Sequence, residues 1–303
     1  MNNMLTDHYG RAITSLRISI TRKCNLNCIY CHGEGENGTS GREISIDTIA
    51  KIVTAAAEYS VTKVKFSGGE PLMRNDFEEI LAALPPLKDI SATTNGVLLS
   101  RRAALLAESG LDRVNISLPS LDEEHYKRIT GSVALPRVLD GLDAAVDAGL
   151  TPVKINMVLL KGINVNEIDD AIHFAAKYDG NVILQLIELM NFKNTGQYTV
   201  DINSIEKMLE SKAACVRERE LHRRKKYFID GVEVELVRPI DNSKFCANCN
   251  RLRVTSSGKL KACLMRNDNL IDIKEGAEVS EIKELLRKAV ELREPYCKDN
   301  APF

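Results

Sequence analysis

Short runs of β-branched residues alternate with amphipathic stretches along the first two-thirds of the chain, and this alternation most constrains the fold. Parallel strands need crossover connections of about a dozen residues or more, so the pattern predicts an α/β fold with a parallel sheet. Six units are too few for a closed eight-stranded barrel, and we expect an open, TIM-like partial (β/α)6 barrel, with a doubly wound sheet as the alternative. The predicted strands are LRISI (16–20), KVKFS (63–67), DISATT (89–94), RVNISL (113–118), PVKINMVL (152–159) and VILQLIEL (182–189). The predicted helices cover residues 45–59, 75–84, 100–109, 135–148 and 165–178.

The pattern changes after about residue 195. A predicted helix near 201–211 precedes the basic run HRRKK (222–226) and a hairpin that turns at Asp230-Gly231. The basic run could bind phosphate or RNA, but a solvated hairpin edge is favoured. Two more strands join at Ser257-Gly258, and a helix over 278–292 follows. We therefore predict a partial barrel over 1–195 and a smaller C-terminal α+β module over 196–303 that covers its open side.

Charge and composition narrow the possible partners and the compartment. The 303 residues carry a net charge of −1, which argues against nucleic acid and against a membrane surface. An anionic substrate would need a local cluster of Arg and Lys. No apolar run approaches the roughly 18–20 residues of a membrane-spanning helix, and MNNMLTDHYGR at the N-terminus does not resemble a signal peptide. The eight cysteines suggest metal binding in a reducing cytoplasm.

The stretch CNLNCIYC places Cys24, Cys28 and Cys31 as C-x3-C-x2-C directly after the first predicted strand. Sites form at this end of the strands in parallel α/β folds. Three thiolates on a 4Fe–4S cluster leave one iron open, at which a reactive molecule could bind. A zinc site completed by His32 would be strained, because adjacent residues are poorly placed to ligate one tetrahedral ion.

A second group of three cysteines lies in the C-terminal third, as Cys246-x2-Cys249-x13-Cys263. A C-x2-C pair is half of a zinc-ribbon signature, and the fourth ligand would then have to be Cys215 or Cys297. An iron–sulfur cluster with an open iron would instead let a substrate atom coordinate there. The spacing alone leaves both possibilities open.

Cations stand within strands that otherwise suit a buried sheet. Arg17, Lys65 and Lys154 lie in three different predicted strands. A cation in such a place is costly unless it is paired or faces a polar cavity, so these residues suggest one central anionic ligand inside the barrel. Arg251 and Arg253 are two apart in a predicted strand and point to one face, which suits two guanidinium forks on one phosphate-bearing ligand. Alternate surface charges on an exposed hairpin are the competing interpretation.

The cysteine loop, together with SGGEPL (67–72) after the second predicted strand, resembles the radical S-adenosylmethionine superfamily. The resemblance implies that Cys24, Cys28 and Cys31 hold a 4Fe–4S cluster whose open iron binds S-adenosylmethionine. It also implies that the glycines and Glu70 of the GGEP segment surround the methionine amino group. The residues that match contacts to S-adenosylmethionine are Tyr30, Gly69, Ser117 and Met190.

Roughly residues 12 to 297 resemble the GTP 3′,8-cyclase family of molybdenum cofactor biosynthesis. The segments that carry the resemblance include LRISITRKCNLNCIYC, KFSGGEPLMR, VKINMVLLKGIN and FCANCNRLRVTSSGKLKACL. It implies a second 4Fe–4S cluster on Cys246, Cys249 and Cys263, near the substrate. Gln185 departs from the family, in which many members carry an arginine. The residues that match GTP contacts are Arg17, Lys65, Thr93, Lys154, Arg251, Leu252 and Arg253.

The resemblance implies radical cyclisation of GTP as the first step of molybdenum cofactor synthesis. Such an enzyme needs an electron donor, and family precedent suggests a homodimer and transient contact with the downstream cyclic pyranopterin monophosphate synthase. One alternative is a radical enzyme that modifies a peptide, although no peptide-recognition extension is evident. The other is a metal-binding protein without catalytic activity, against which the GGEP segment and the strand cations argue.

Overall fold

The computed structural model describes residues 4–36, 42–190, 195–218, 225–239 and 246–295. In these ranges twelve strands form one sheet, and eight α-helices pack around it. The strands are β1 Ser15–Ser19, β2 Lys63–Ser67, β3 Asp89–Thr94, β4 Arg113–Ser117, β5 Val153–Val158, β6 Val182–Ile187, β7 Cys215–Glu218, β8 Lys225–Ile229, β9 Val232–Val237, β10 Arg251–Val254, β11 Lys259–Lys261 and β12 Ile271–Asp272. The helices are α1 Ile46–Ala57, α2 Phe77–Ala82, α3 Ala103–Glu108, α4 Glu123–Thr130, α5 Leu135–Asp147, α6 Ile168–Ala176, α7 Ile202–Lys212 and α8 Val279–Glu291.

Strands β1 to β6 lie side by side in chain order, and all are parallel. Right-handed crossovers between consecutive strands place the connecting helices on the same face of the sheet. A doubly wound sheet would instead reverse its strand order at a switch point. The partial barrel is therefore confirmed, and the doubly wound alternative is wrong.

The C-terminal part of the chain extends this sheet at both edges. Strand β9 pairs in parallel with β6, and β10 pairs in parallel with β1. Antiparallel neighbours continue outward, β8 and β7 on one side and β11 and β12 on the other. Among the described residues the sheet thus has eight adjacent parallel strands, and its two end strands, β12 and β7, do not pair with each other. The predicted boundary at residue 195 stays a prediction, since both parts contribute to one sheet.

The two faces of the sheet have opposite chemistry. In β1, Leu16 and Ile18 are completely buried, and they belong to the same hydrophobic core as Ile49 and Ile52 of α1. Arg17 lies between them in sequence and therefore points to the other face. We call the helix-packed side the convex face and the opposite side the concave face. The alternation repeats from strand to strand, so the concave face is polar.

Both predicted hairpins are present, β8–β9 with its turn at Asp230-Gly231 and β10–β11 with its turn at Ser257-Gly258. One helix, α4, was not expected. Asp230 and Gly231 join β8 to β9 with φ values of 49° and 81°, the left-handed pair that a two-residue hairpin loop requires. Helix α4 has only eight residues, EEHYKRIT, and its polar composition hides it in the sequence. The side chain of Asp122 begins it by accepting a hydrogen bond from the backbone of His125 at 2.8 Å.

The basic run lies partly outside the described residues, at 222–224. Lys225 forms ion pairs with Glu206 and Glu210 of α7, and Lys226 pairs with Glu233 of the adjacent strand. These contacts favour a solvated hairpin edge for the described part of the run, and the interpretation of the whole run stays a prediction.

None of the described helices combines the length and apolar character that crossing a bilayer demands.

Candidate functional site

The concave face encloses a cavity of about 490 Å³, within the usual size range of a small-molecule site. It is lined by all of the predicted site residues except Leu252 and Glu70. Residues from the N-terminal third, from the middle strands and from the C-terminal part therefore meet in one space. The curvature of the sheet brings them together, since eight parallel strands contribute to the same wall.

Leu252 is the exception among the predicted substrate contacts. Its side chain is completely buried in the main hydrophobic core and does not line the cavity. Arg251 and Arg253, on either side of it in β10, do line the cavity. Because side chains alternate along a strand, a residue between two concave ones must point to the convex face. A side-chain contact from Leu252 to the substrate is therefore wrong.

The first cysteine loop follows β1 and is fixed from one side by α4. The backbone of Asn27 donates to the carbonyl of Thr130 at 3.0 Å, and that of Ile29 donates to the carbonyl of Ile129 at 3.0 Å. Burial raises the pKa of the Cys28 thiol to about 12, with smaller contributions from the neighbouring cysteines. A metal centre here would displace protons as it bound, because thiolates are the ligating form.

The GGEP segment holds the beginning of this loop from the other side. The backbone N–H of Gly69 donates to the carbonyl of Thr21 at 2.8 Å, and that of Glu70 donates to the carbonyl of Lys23 at 2.7 Å. A Cβ on Gly69 would lie 2.3 Å from the Lys23 carbonyl oxygen, closer than atoms can approach. The two motifs are thus one structural unit, and glycine is required where their backbones touch.

Glu70 is fully buried and ties this unit to the end of β3. Its carboxylate accepts hydrogen bonds from the Thr94 hydroxyl at 2.7 Å, the Asn95 backbone at 2.6 Å and the Leu72 backbone at 3.0 Å. Burial raises the pKa of Glu70, and these hydrogen bonds oppose the shift. The Asn95 amide in turn donates to the Asn25 side chain at 2.7 Å, inside the cysteine loop. The TTNG segment therefore positions the loop as well.

The second group of cysteines lies at the opposite ends of the strands, where the parallel strands begin. Cys246 and Cys249 precede β10, which runs parallel to β1, whereas the first cysteine loop follows β1. Cys263 follows β11. Because β11 is antiparallel to β10, Cys263 lies at the same end of the strands as Cys249. A five-residue strand such as β1 spans roughly 16 Å. The cavity therefore extends along the strands, with three cysteines at each end.

The donor sets fit clusters with three protein ligands. Within the described ranges, no three Cys, His, Asp or Glu side chains converge closely enough to bind a single metal ion. A 4Fe–4S cluster spaces its ligands more widely, because each thiolate binds a different iron. Cys215 is exposed on the edge strand β7 and does not line the cavity. Cys297 lies outside the described residues.

Cations line the space between the two cysteine groups. Arg17 is in register with Lys65 of β2 on one side and with Arg253 of β10 on the other. Burial, together with the nearby charge of Arg253, lowers the pKa of Arg17 to about 9. The buried Nε atom of Arg17 has no hydrogen-bond partner. Burial and the charge of Arg17 also lower the pKa of Lys65 well below its ordinary value. Such a cluster is suited to an anionic ligand, which would relieve both the repulsion and the unmade hydrogen bond.

Glu34 is a cavity residue that the sequence analysis missed. It lies three positions after Cys31, and its carboxylate forms an ion pair with Arg253 at 2.8 Å. Burial would raise the pKa of Glu34, but the charges of Arg17 and Arg253 outweigh it and lower the pKa to about 2. The carboxylate is therefore ionised and neutralises part of the cation cluster. Only the spacing from the cysteine motif could have pointed to it.

The residues after Glu34 also contact the C-terminal hairpin. The Gly35 carbonyl accepts a hydrogen bond from the ammonium of Lys261, and the Glu36 carboxylate accepts one from the Ser256 hydroxyl at 2.6 Å. Burial lowers the pKa of Lys261 to about 8. The segment that follows the first cysteine group is thus attached to the hairpin that carries Cys263.

A buried carboxylate on β9 holds Lys154. Glu235 is completely buried, pairs with Lys154 at 2.9 Å and accepts a hydrogen bond from the side-chain amide of Gln185. Gln185 thus forms a contact that connects β6 with β9. The alternation VEVELV, with Glu233 and Glu235 on one face, is the signal that could have revealed this carboxylate.

Comparison with known proteins agrees with these features. The Radical SAM superfamily model matches residues 18–175, and the Molybdenum Cofactor Synthesis C model matches residues 182–298. A protein of Methanosarcina acetivorans named "Probable GTP 3′,8-cyclase" is 59% identical over 300 residues, with 97% of this chain and 90% of the relative covered. One of Methanocella arvoryzae with the same name is 55% identical, with 97% and 95% covered.

Among solved structures, Streptococcus suis SuiB bound to S-adenosylmethionine matches with a TM-score of 0.63 at 16% identity. The match covers 85% of this chain but only 62% of that one, and it shows the fold alone. By its fold, its cysteine loop and its relatives, the chain belongs to the radical SAM superfamily and, within it, to the family of these GTP 3′,8-cyclases. Membership implies a 4Fe–4S cluster and S-adenosylmethionine as cofactors.

Proposed function

We propose that this protein is a GTP 3′,8-cyclase, a radical S-adenosylmethionine enzyme of molybdenum cofactor biosynthesis. The observation that carries the proposal is the placement of the strand cations. They line one cavity between a cysteine group at each end, so a triphosphate would lie between two redox centres. The names of the relatives supply the particular substrate.

The end of the cavity at the first cysteine loop would generate the radical. We assign Cys24, Cys28 and Cys31 as ligands of a 4Fe–4S cluster. When bound and reduced, such a cluster would supply the electron for cleavage of S-adenosylmethionine to a 5′-deoxyadenosyl radical. The residues proposed to contact S-adenosylmethionine all line the cavity, and they are Tyr30, Gly69, Ser117 and Met190.

The middle of the cavity would hold the triphosphate of GTP. Guanidinium groups donate two parallel hydrogen bonds to phosphate oxygens, which suits Arg17, Arg251 and Arg253. Lys65 and Lys154 add charge from strands β2 and β5, and Thr93 adds a hydroxyl from β3. We assign Cys246, Cys249 and Cys263 as ligands of a second 4Fe–4S cluster, placed beside the guanine end of the substrate.

In this reaction the protein contributes the positioning of the reactants more than general acid–base catalysis. The radical derived from bound S-adenosylmethionine would take the hydrogen atom from C3′ of GTP, and the bond between C3′ and C8 would then form. One electron and one proton then complete the 3′,8-cyclised dihydro nucleotide, 5′-deoxyadenosine being the other product. The cation cluster fixes the triphosphate, and hence the distance from C3′ to the radical.

The proposal includes partners that the sequence suggested. The cluster would receive its electrons from an external donor, and the product would pass to a cyclic pyranopterin monophosphate synthase. We also propose a homodimer, a cytoplasmic location and the two-domain division at residue 195. The thiols of the cavity would need a reducing compartment to stay available for iron.

The direct test uses anaerobically reconstituted, reduced protein with S-adenosylmethionine and GTP deuterated at C3′. Mass spectrometry of the 5′-deoxyadenosine formed reports whether the deuterium has moved. We expect transfer, together with a cyclised nucleotide product. Cleavage of S-adenosylmethionine without transfer would reject GTP as the substrate and favour a peptide or another molecule. No cleavage by protein with a loaded cluster would reject a radical enzyme altogether.

A further inference from the structure

A buried group of three charged side chains lies beside the second cysteine group, outside all predicted site residues. The Asp7 carboxylate accepts hydrogen bonds from Arg11 at 2.7 Å and from Arg293 at 2.8 Å. All three side chains are at most 6% exposed. Removing charges from water costs several kcal/mol per ion, on the order of the free energy that a well-formed pair returns. The group is therefore expected to add little to the free energy of unfolding. Its other hydrogen bonds indicate what it does in the fold.

Both arginines donate to backbone carbonyls of cysteines. Arg11 donates from Nη1 to the carbonyl of Cys246 at 2.9 Å, and Arg293 donates from Nη2 to the carbonyl of Cys249 at 2.6 Å. The two acceptors are the two members of the C-x2-C pair. Arg11 also donates to the carbonyl of Glu294 at 2.6 Å, which fixes the segment after α8. The charged group thus joins the N-terminal segment, the end of α8 and the cysteine pair.

We propose that Asp7, Arg11 and Arg293 are positioning residues that set Cys246 and Cys249 at the separation a 4Fe–4S cluster needs. This inference rests on the proposed function, because it presupposes a second cluster. Each guanidinium fixes the carbonyl of a ligating residue, and Asp7 fixes both guanidinium groups relative to each other. Within the short loop itself, the backbone of Cys249 donates to the carbonyl of Cys246 at 3.1 Å, which closes the turn but leaves its orientation open.

The arrangement has an electrostatic consequence as well. A cluster with three thiolate ligands carries net negative charge, and reduction adds one more electron. Asp7, Arg11 and Arg293 together carry one net positive charge next to the ligating residues, which favours the more negative, reduced form. The group should therefore raise the reduction potential of the second cluster. The first cysteine loop is held by α4 and by the GGEP segment instead, so its cluster should not respond.

The test compares Arg293→Met with Arg287→Met in the full chain after anaerobic reconstitution. Arg287 lies on α8 and Arg293 lies two residues after its end, but Arg287 is half-exposed and contacts Glu284 and the ring of Tyr59 instead of the cysteine pair. We measure iron per chain, the electron paramagnetic resonance spectrum of the reduced protein, and cleavage of S-adenosylmethionine without GTP. Two 4Fe–4S clusters correspond to about eight irons per chain.

We expect Arg293→Met to hold about half of that iron, to lose the resonance signal of one cluster and to retain cleavage of S-adenosylmethionine. Arg287→Met should match the unsubstituted protein in all three. A full iron content and an unchanged spectrum for Arg293→Met would overturn the inference. If the unsubstituted protein itself holds only about four irons, the second cluster is absent and the proposed function falls with it.

A fold defect is distinguished by a second variant. Arg293→Lys keeps a charge beside Asp7 but cannot donate to Asp7 and to Cys249 as a planar fork does. It should fold with the thermal stability of Arg287→Met and still lose part of the second cluster. Equal iron in Arg293→Lys and Arg287→Met, with equal stability, would show that the guanidinium does not position the loop.

Discussion

The convex and concave faces of the central sheet are built from the same strands but by opposite rules. In most parallel sheets both faces are covered, and the strands read as continuous hydrophobic runs. Here Leu16 and Ile18 point into the core, while Arg17 between them points into the cavity. The same holds for Leu252 and Arg253 in β10. The comparison teaches that strict alternation in a parallel strand indicates a polar interior, and that stability and chemistry are separated by face.

Loss of a cysteine from the rim of the concave face should have the largest effect. Cys24→Ala removes one of three proposed cluster ligands, so we expect cleavage of S-adenosylmethionine to be abolished. The matched control is Cys215→Ala, since Cys215 is exposed on the edge strand β7 and lies outside the cavity. Formation of 5′-deoxyadenosine by the reduced proteins is the measurement. Cleavage by Cys24→Ala at the unsubstituted rate would remove that cysteine from the catalytic centre.

The next effect comes from the convex face. Leu252→Ala leaves a gap in the core, so we expect the free energy of unfolding to fall by about 2–5 kcal/mol. The dissociation constant for GTP should stay within about twofold, because the backbone and both flanking arginines remain in place. Urea denaturation of the cluster-free protein and equilibrium binding by the reconstituted protein check the two values. Weaker GTP binding at unchanged stability would show that the division between faces fails at this position.

Arg253→Ala, one residue further along β10, should affect GTP binding more than the free energy of unfolding. We expect GTP binding to weaken by about 1.5–3 kcal/mol, the scale of a hydrogen bond to a charged group. Its effect on unfolding should be smaller than that of Leu252→Ala, because no core volume is lost. Arg287→Ala on the outer surface of α8 is the control. An unchanged dissociation constant would assign Arg253 to structure rather than to substrate.

The smallest effect should come from removing the charge of Glu34, the carboxylate on the concave face. Glu34 neutralises Arg17 and Arg253 when no nucleotide is bound, so the triphosphate has to compete with its carboxylate. We expect Glu34→Gln to bind GTP a few-fold tighter, on the order of 1 kcal/mol for a partly screened charge. The pKa of about 2 keeps Glu34 ionised across the pH range of an assay, so this gain should not vary between pH 6 and 8.

The matched control for Glu34→Gln is Glu284→Gln on α8, which removes an exposed carboxylate that does not line the cavity. Equilibrium titration with GTP gives both dissociation constants. Weaker binding by Glu34→Gln would mean that the carboxylate orients Arg253 for the substrate instead of competing with it.

Local features were predictable where the residues of one short segment determine its conformation. The hairpin at Asp230-Gly231 follows from two residues that accept positive φ, and the structure has both. The cysteine spacing and the cations within strands likewise pointed to one cavity before any geometry was known. Helix α4 was not predicted because it is short and mostly polar, and only Tyr126 and Ile129 supply large apolar side chains to its buried face. The side chain of Leu252 faces the core although the motif match includes it, because a motif match does not report which face of a strand a residue occupies.

Contacts between distant segments could not be predicted in this way. Glu34 meets Arg253 across 219 positions, and Arg11 meets Cys246 across 235. Neither pair has a local pattern, because each depends on β10 lying beside β1. The role of Glu235 in holding Lys154 depends in the same way on β9 joining β6.

The sequence by itself determined the six barrel strands and five of the helices between them, the two cysteine groups and the alternation that makes one face polar, because each of these depends on a few neighbouring residues. The tertiary structure alone decided that the C-terminal strands β9 and β10 extend the sheet at its two edges. That pairing places one cysteine group at each end of the cavity and brings the arginines of β10 beside Arg17. The physical reason is that backbone hydrogen bonds between strands are not specific to side chains, so register and neighbours are settled only when the whole sheet packs against its helices.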